Sequence, residues 1–253
     1  HKDILIDQIR ELQHSLALAP FSGAYRIALL LDFQRATTQA MNALLKTLEE
    51  PQDKVVLLLT ADALESLLPT IVSRCEVIRL RPAPIASTGM YLQSEKGLSS
   101  TEAKFLAHLS GGRVGAALRF IEEPEALTHR RDALETFFEL LPAPRCERFK
   151  YAHALTKHYE TARKNVGEVL PIWLSFWRDV FVKVSRADMP LVNLDLEAQV
   201  NFLAANLDLQ AARSLVTAHE KAIQYLDSNA SPRLLAETLM LQWPFITLPD
   251  ARA

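Results

Sequence analysis

Asp32 closes the apolar run "RIALLLDF" (26–33). A carboxylate at the carboxyl end of a buried strand is where a nucleotide-hydrolysing site orients Mg²⁺. Such a site sets a second acid directly after the first to polarise the attacking water. Here that position is Phe33, which neither accepts a proton nor binds a metal. Thr60 closes a second apolar run, "KVVLLLT" (54–60). A polar side chain there can reach a ligand in the crevice beyond the strand ends. Arg74, in "SRC" (73–75), lies between a short helical stretch and a third apolar run. Its guanidinium can serve the dipole of the helix before it, or project from the domain edge to a phosphate outside. Each residue also has a plain reading: Asp32 as a cap or turn, Thr60 as a strand end, Arg74 as a helix-end cation.

Other chemistries find little support. A phosphate-cradling G-x-x-x-x-G-K-[ST] does not occur in the sequence. "GGRVGAAL" has glycines, but no strand pattern precedes it. Cys75 and Cys146 stand in unrelated contexts without metal-ligand spacing, so no zinc site is expected. The histidines are scattered. His153 and His158 lie five apart, off a common helix face, and read as surface residues. "WLSFWRDVF" (173–181) carries aromatics at helical spacing, which is core packing rather than a cofactor box.

The elements that hold the candidate residues follow from periodicity. Leu5, Ile9, Leu12 and Leu16 give a helix over 3–19 one apolar face. "PFSG" (20–23) reads as a turn. Residues 25–31 read as a buried strand, and a helix from Thr37 to Glu49 stops at Pro51. Residues 54–60 form the next strand, "DALESLLPTIVSR" a short helical piece, and "CEVIRL" (75–80) a third strand. Buried strands alternating with helices imply a parallel sheet covered on both faces. "RPAP" (81–84) marks a linker. Beyond it come a short helical pair around "GG" and then long amphipathic helices to the end. The expected parts are a partial α/β domain (1–82), a small helical domain (83–123) and a helical bundle (124–253).

Bulk properties agree. The chain has 253 residues, 49% of them hydrophobic, and only 7 glycines, so a mostly helical protein with a full core is expected. A net charge of −2 argues against strong autonomous nucleic-acid binding. Two cysteines suit a reduced, cytoplasmic setting. No apolar run is long enough for a membrane span. The chain starts at His1, directly ahead of a helical pattern, and a segment upstream is expected.

The stretches "IDQIRELQ", "YRIALLLD", "NALLKTLEEP" (42–51), "LLLT" and "LLPTIVSRC", in this order, resemble the clamp-loader branch of the AAA+ ATPases of bacterial DNA polymerase III. "NASPRLLAETLML" resembles the last helix of that family's collar. The likeness is dense over residues 4–80 and looser through 130–220. It implies a mainly helical protein with a partial AAA+ parallel sheet lacking its first strand and Walker A loop, a helical lid (83–123) and a collar (124–253). It puts Asp32 at the Walker B aspartate, Phe33 at the catalytic glutamate, Thr60 at the sensor 1 position and Arg74 at the arginine finger that reaches a neighbour's ATP. Gly115 falls where active subunits carry the sensor 2 arginine. A subunit of this kind keeps the frame in order to stack in the ring, and does not itself hydrolyse ATP. No cofactor is expected in this chain, with ATP and Mg²⁺ in neighbouring subunits. Implied partners are gamma/tau ATPase subunits, the clamp-opening delta subunit, the sliding clamp, and primed DNA through the assembled complex, in the bacterial cytoplasm. A gamma/tau-type ATPase fragment is the alternative, disfavoured by Phe33. A helical scaffold with a vestigial α/β part is a third reading, disfavoured by the retained "SRC".

Overall fold

The computed structural model of the chain describes residues 3–17, 24–228 and 230–247. The expected turn at 20–23 and the start at His1 lie outside them. The chain divides into two compact units, His1–Leu80 and Arg81–Ala253.

In the first unit, α1 (Ile6–Ala17) packs on α2 (Thr38–Glu49). Its buried contacts come from Ile9 and Leu16, while Leu5 lies just ahead of the helix and is exposed. Thr37 caps α2, its hydroxyl accepting from the Ala40 N–H at 3.2 Å. β1 (Arg26–Leu30) and β2 (Val55–Leu59) pair in parallel, with Ala28 opposite Leu57 and Leu30 opposite Leu59. α2 is the crossover that such a pair requires. Ala28 and Leu30 point into a core with Ile9, Phe33, Ala40, Met41, Leu44 and Ile71. Alternate residues point the other way, and Ile27 and Leu29 are 65% and 57% exposed. The expectation of a sheet covered on both faces therefore fails: among the described residues it is covered on one.

The expected third strand is also absent. After α3 (Pro69–Val72), residues 75–80 run without a ladder, and Ile78 and Leu80 are exposed. Strand propensity alone does not make a strand. Its backbone groups need a neighbouring strand, and none among the described residues lies beside it.

The second unit is helical. α4 (Ile85–Lys96) packs on α5 (Ser100–Leu109), followed by α6 (Val114–Glu122). A capping box opens α5, with Ser99 and Glu102 bonding each other's backbone; the Ser99 hydroxyl, and after it the Ser99 N–H, donate to the Glu102 carboxylate and hold its pKa below the usual value. α7 (Pro124–Leu140), α8 (Arg145–Leu155), α10 (Glu197–Asn206), α11 (Leu209–Asp227) and α12 (Pro232–Leu241) surround α9 (Tyr159–Val184). Trp173, Phe176, Trp177 and Val180 of α9 are fully buried, as their spacing predicts. Phe137 of α7 meets Phe176, Trp177 and Trp243 edge-on at 4.9–5.3 Å between centroids.

Buried cations fasten this unit. The Arg148 guanidinium donates to the carbonyls of Leu140, Leu141, Ala143, Met240, Trp243 and Pro244 at 2.7–3.1 Å. It thus satisfies the ends of α7 and α12 together, where helices present unpaired carbonyls. Arg130 of α7 grips both carboxylate oxygens of Asp195 and the Asn193 side-chain carbonyl, each at 2.8 Å, and lies 5.7 Å over the ring of Phe105 in α5. No helix among the described residues is long and apolar enough to cross a membrane.

Candidate functional site

The carboxyl ends of β1 and β2 bring Asp32 and Thr60 together. The ladder continues past the strands: Thr60 N–H donates to the Leu30 carbonyl at 3.0 Å and Phe33 N–H to the Thr60 carbonyl at 2.8 Å. Asp32 sits between these bonds, and its own N–H donates to the Thr60 hydroxyl at 3.0 Å. Its φ of 51° is left-handed, a conformation that Asp tolerates better than most side chains. A short helical turn, Phe33–Arg35, follows. The Asp32 carboxylate is exposed and makes no hydrogen bond among the described residues.

Phe33 turns the other way. It is fully buried, packed with the α1 and α2 residues of the core. The position after the strand aspartate therefore serves packing, and no acid stands beside Asp32 in sequence. Sequence reading missed two neighbours, Gln34 and Asp62, whose side chains bond across the strand ends at 2.9 Å. Both lie within two residues of a candidate, which was the available signal.

Two carboxylates stand at the strand ends, Asp32 beside Thr60 and Asp62 bonded to Gln34, and the position after Asp32 is core. Among the described residues no group of three His, Cys, Asp or Glu side chains could hold a metal. Gly115, near the start of α6, is exposed, and a Cβ added there meets nothing within 4 Å. An arginine is therefore not excluded there by space.

Arg74 is placed apart from this pair, with no hydrogen bond or ion pair to Asp32 or Thr60 among the described residues. It follows α3, whose last turn is closed by the Arg74 N–H donating to the Ile71 carbonyl at 3.0 Å. Its side chain is 34% exposed and lies on the end of α2. Nη2 pairs with the Glu49 carboxylate at 2.5 Å, and Nη1 donates to the Thr70 carbonyl at 3.0 Å and to the Ser73 hydroxyl at 3.4 Å. Neighbouring Cys75 is half-buried, and burial pushes its thiol pKa up. Glu49 was missed by sequence reading, since an acid in the last turn of an amphipathic helix reads as a solvated residue.

Among known proteins, residues 1–84 match the family described as DNA polymerase III, delta subunit. The DNA polymerase III subunit delta-prime of Haemophilus influenzae is 32% identical over 157 residues, 58% of this chain and 48% of that protein. The Bacillus subtilis subunit delta-prime is 24% identical over 236 residues, 92% of this chain and 70% of that protein. The DNA polymerase III subunit gamma of Buchnera aphidicola (subspecies Acyrthosiphon pisum) is 26% identical over 122 residues, 46% of this chain and 34% of that protein. The chain thus spans about half the length of the Haemophilus relative it matches.

Proposed function

We propose that this chain, which belongs to the delta-prime-like clamp-loader family of bacterial DNA polymerase III, works in the loader without hydrolysing ATP and lends Arg74 to a neighbour's nucleotide. The observation that carries this reading is a contrast. At the strand ends, the position of a catalytic acid has gone to the core as Phe33. At the domain edge, a guanidinium remains partly exposed with donors to spare. An arginine carries five N–H donors. Thr70, Ser73 and Glu49 engage three of them, so two remain. A planar fork of this kind matches phosphate oxygens and stabilises the charge that spreads over them during transfer.

In this reading the chain itself needs no nucleotide, and ATP with Mg²⁺ belongs to neighbouring gamma/tau-type subunits. Those subunits, the clamp-opening delta subunit and the sliding clamp would be its partners, with primed DNA engaged through the complex, in the bacterial cytoplasm. Residues 83–123 would act as the lid and 124–253 as the collar. The gamma relative keeps a second reading alive, that of an ATPase subunit. Phe33 and Gly115 weigh against it, since neither supplies the acid or the cation that such a site uses.

The test rebuilds the loader with Arg74→Ala, with Arg79→Ala as the control, and follows DNA- and clamp-stimulated phosphate release alongside sizing of the complex. Arg74→Ala is expected to assemble and to lose most hydrolysis at the site it serves, on the scale of about 10³-fold or more seen for such fingers in GTPases. Arg79→Ala is expected to behave as wild type. Equal rates for Arg74→Ala and wild type would overturn the finger. Turnover by the isolated chain that scales with its concentration and falls in Asp32→Ala would overturn the non-hydrolysing role.

A further inference from the structure

Glu49 is the last residue of α2, and its carboxylate grips the guanidinium proposed to work in another subunit. Three features make that grip informative. First, the carboxylate stands at the wrong end of its helix. Glu49 and Glu50 both lie where α2 presents its own carbonyl ends, so their charge is unfavourable there unless a cation answers it. Lys46 stands in the same last turn, and Arg74 is the cation that pairs with the Glu49 carboxylate. Second, the pair is shallow. Arg74 and Glu49 side chains are 34% and 48% exposed, in the range where an ion pair holds a geometry without contributing much stability. Third, the guanidinium is anchored from its own side as well, by the Thr70 carbonyl and the Ser73 hydroxyl. Loss of the carboxylate therefore leaves the arginine tethered to the end of α3.

We propose that Glu49 is a holding residue for Arg74. It keeps the guanidinium on the chain's own surface while the chain is apart from its partner, and yields it to a phosphate presented across a subunit boundary. This rests on the reading of Arg74 as a group that acts in trans. The physical basis is competition for the charge of one guanidinium and for its Nη2. A carboxylate on Nη2 takes a hydrogen bond that a phosphate oxygen would take, and its negative charge opposes the approach of another anion. Two donors stay free beside that bond, but the whole fork and its full charge serve a phosphate only once the carboxylate has let go. Glu49 is thus a positioning residue that acts through Arg74 and touches no nucleotide.

The test uses the loader rebuilt with Glu49→Gln and, separately, Glu49→Ala, each in the wild-type and Arg74→Ala backgrounds. Glutamine keeps an acceptor and drops the charge; alanine drops both. ATP hydrolysis by the assembled complex is followed at saturating ATP, with sizing to confirm assembly. Both Glu49 variants are expected to hydrolyse faster than wild type, by roughly two- to fivefold, the scale of an exposed ion pair. The gain is expected to vanish in the Arg74→Ala background. A merely structural Glu49 would lower the rate or the yield of complex, and could not produce a gain that depends on Arg74. Unchanged or slower hydrolysis by the Glu49 variants, with Arg74→Ala itself impaired, would overturn the holding role and leave the finger standing. A gain that persists without Arg74 would also overturn it. If Arg74→Ala alone matches wild type, the finger has failed, and the holding role falls with it.

Discussion

His219 tolerates only a neutral imidazole. It is fully buried in α11, its Nδ1–H donates to the Leu215 carbonyl at 2.7 Å, and its ring stacks on Trp243 at 6.2 Å. Its Nε2 has no partner among the described residues, so a second proton would add a buried donor with nothing to accept from it. Burial is the main cause that pulls its pKa from 6.5 to about 4, partly opposed by the Leu215 bond. The unfolded chain binds the proton near pH 6.5 and the folded chain resists it until about pH 4. The stability is therefore fully present above 6.5 and is lost as pH falls towards 4. Urea unfolding is expected to show a loss of about 2 kcal/mol from this group between pH 7 and pH 5. His219→Gln should remove that part of the slope, and an unchanged slope would mean the imidazole is not the acid-sensitive group. The sequence held no sign of this residue. His219 reads as one of several scattered histidines, because burial comes from α9 and the segment after α12, far away in the chain. Arg148 was hidden for the same reason, since its partners at 240–244 are some ninety residues distant. Asp32, Thr60 and Phe33 were legible because strand periodicity fixes which residue ends a strand and which one comes next.

At the scale of elements, "GG" between α5 and α6 does more than interrupt a helical pattern. Gly111 and Gly112 have φ of 57° and 78°. A Cβ on Gly112 would stand 2.0 Å from the Ala83 carbonyl oxygen. The Gly112 carbonyl meanwhile accepts from the Ala83 N–H at 3.0 Å and from the Thr88 hydroxyl at 3.3 Å. The start of this unit is thus laid against the turn, an approach that only glycine permits. Gly112→Ala is expected to lower the melting point, by the equivalent of about 1–3 kcal/mol. Gly115→Ala, where the added methyl meets open space, should have no such effect. Similar melting of the two variants would show that the turn can shift to make room. Helices of the bundle were legible from apolar spacing, and "GG" was legible as a break. What the break touches was not, since Ala83 belongs to a stretch that reads as a linker. "CEVIRL" shows the converse limit. Its residues have strand propensity, but a ladder depends on a second strand that a single stretch cannot specify.

For the whole molecule, the two units differ in how they bury themselves. The bundle surrounds α9 on several sides, whereas the two-stranded sheet leaves Ile27, Leu29 and Leu58 exposed. A sheet this small with one open face is marginal by itself. Amide exchange is expected to be faster at 26–30 and 55–59 than along 169–180 in α9, by tenfold for each ~1.4 kcal/mol that separates the units. Equal protection in the two regions would mean that they open together. The aromatic core adds a consequence for how such opening is seen. The chain has three tryptophans, and all of them, Trp173, Trp177 and Trp243, are buried in the bundle. Their fluorescence reports the second unit and is silent about the first. A melt followed by tryptophan emission should therefore show one late transition, while backbone circular dichroism also registers an earlier loss from residues 1–80. The apparent two-state behaviour of an optical trace would then belong to the choice of chromophore, and the unit that carries Arg74 could unfold unnoticed.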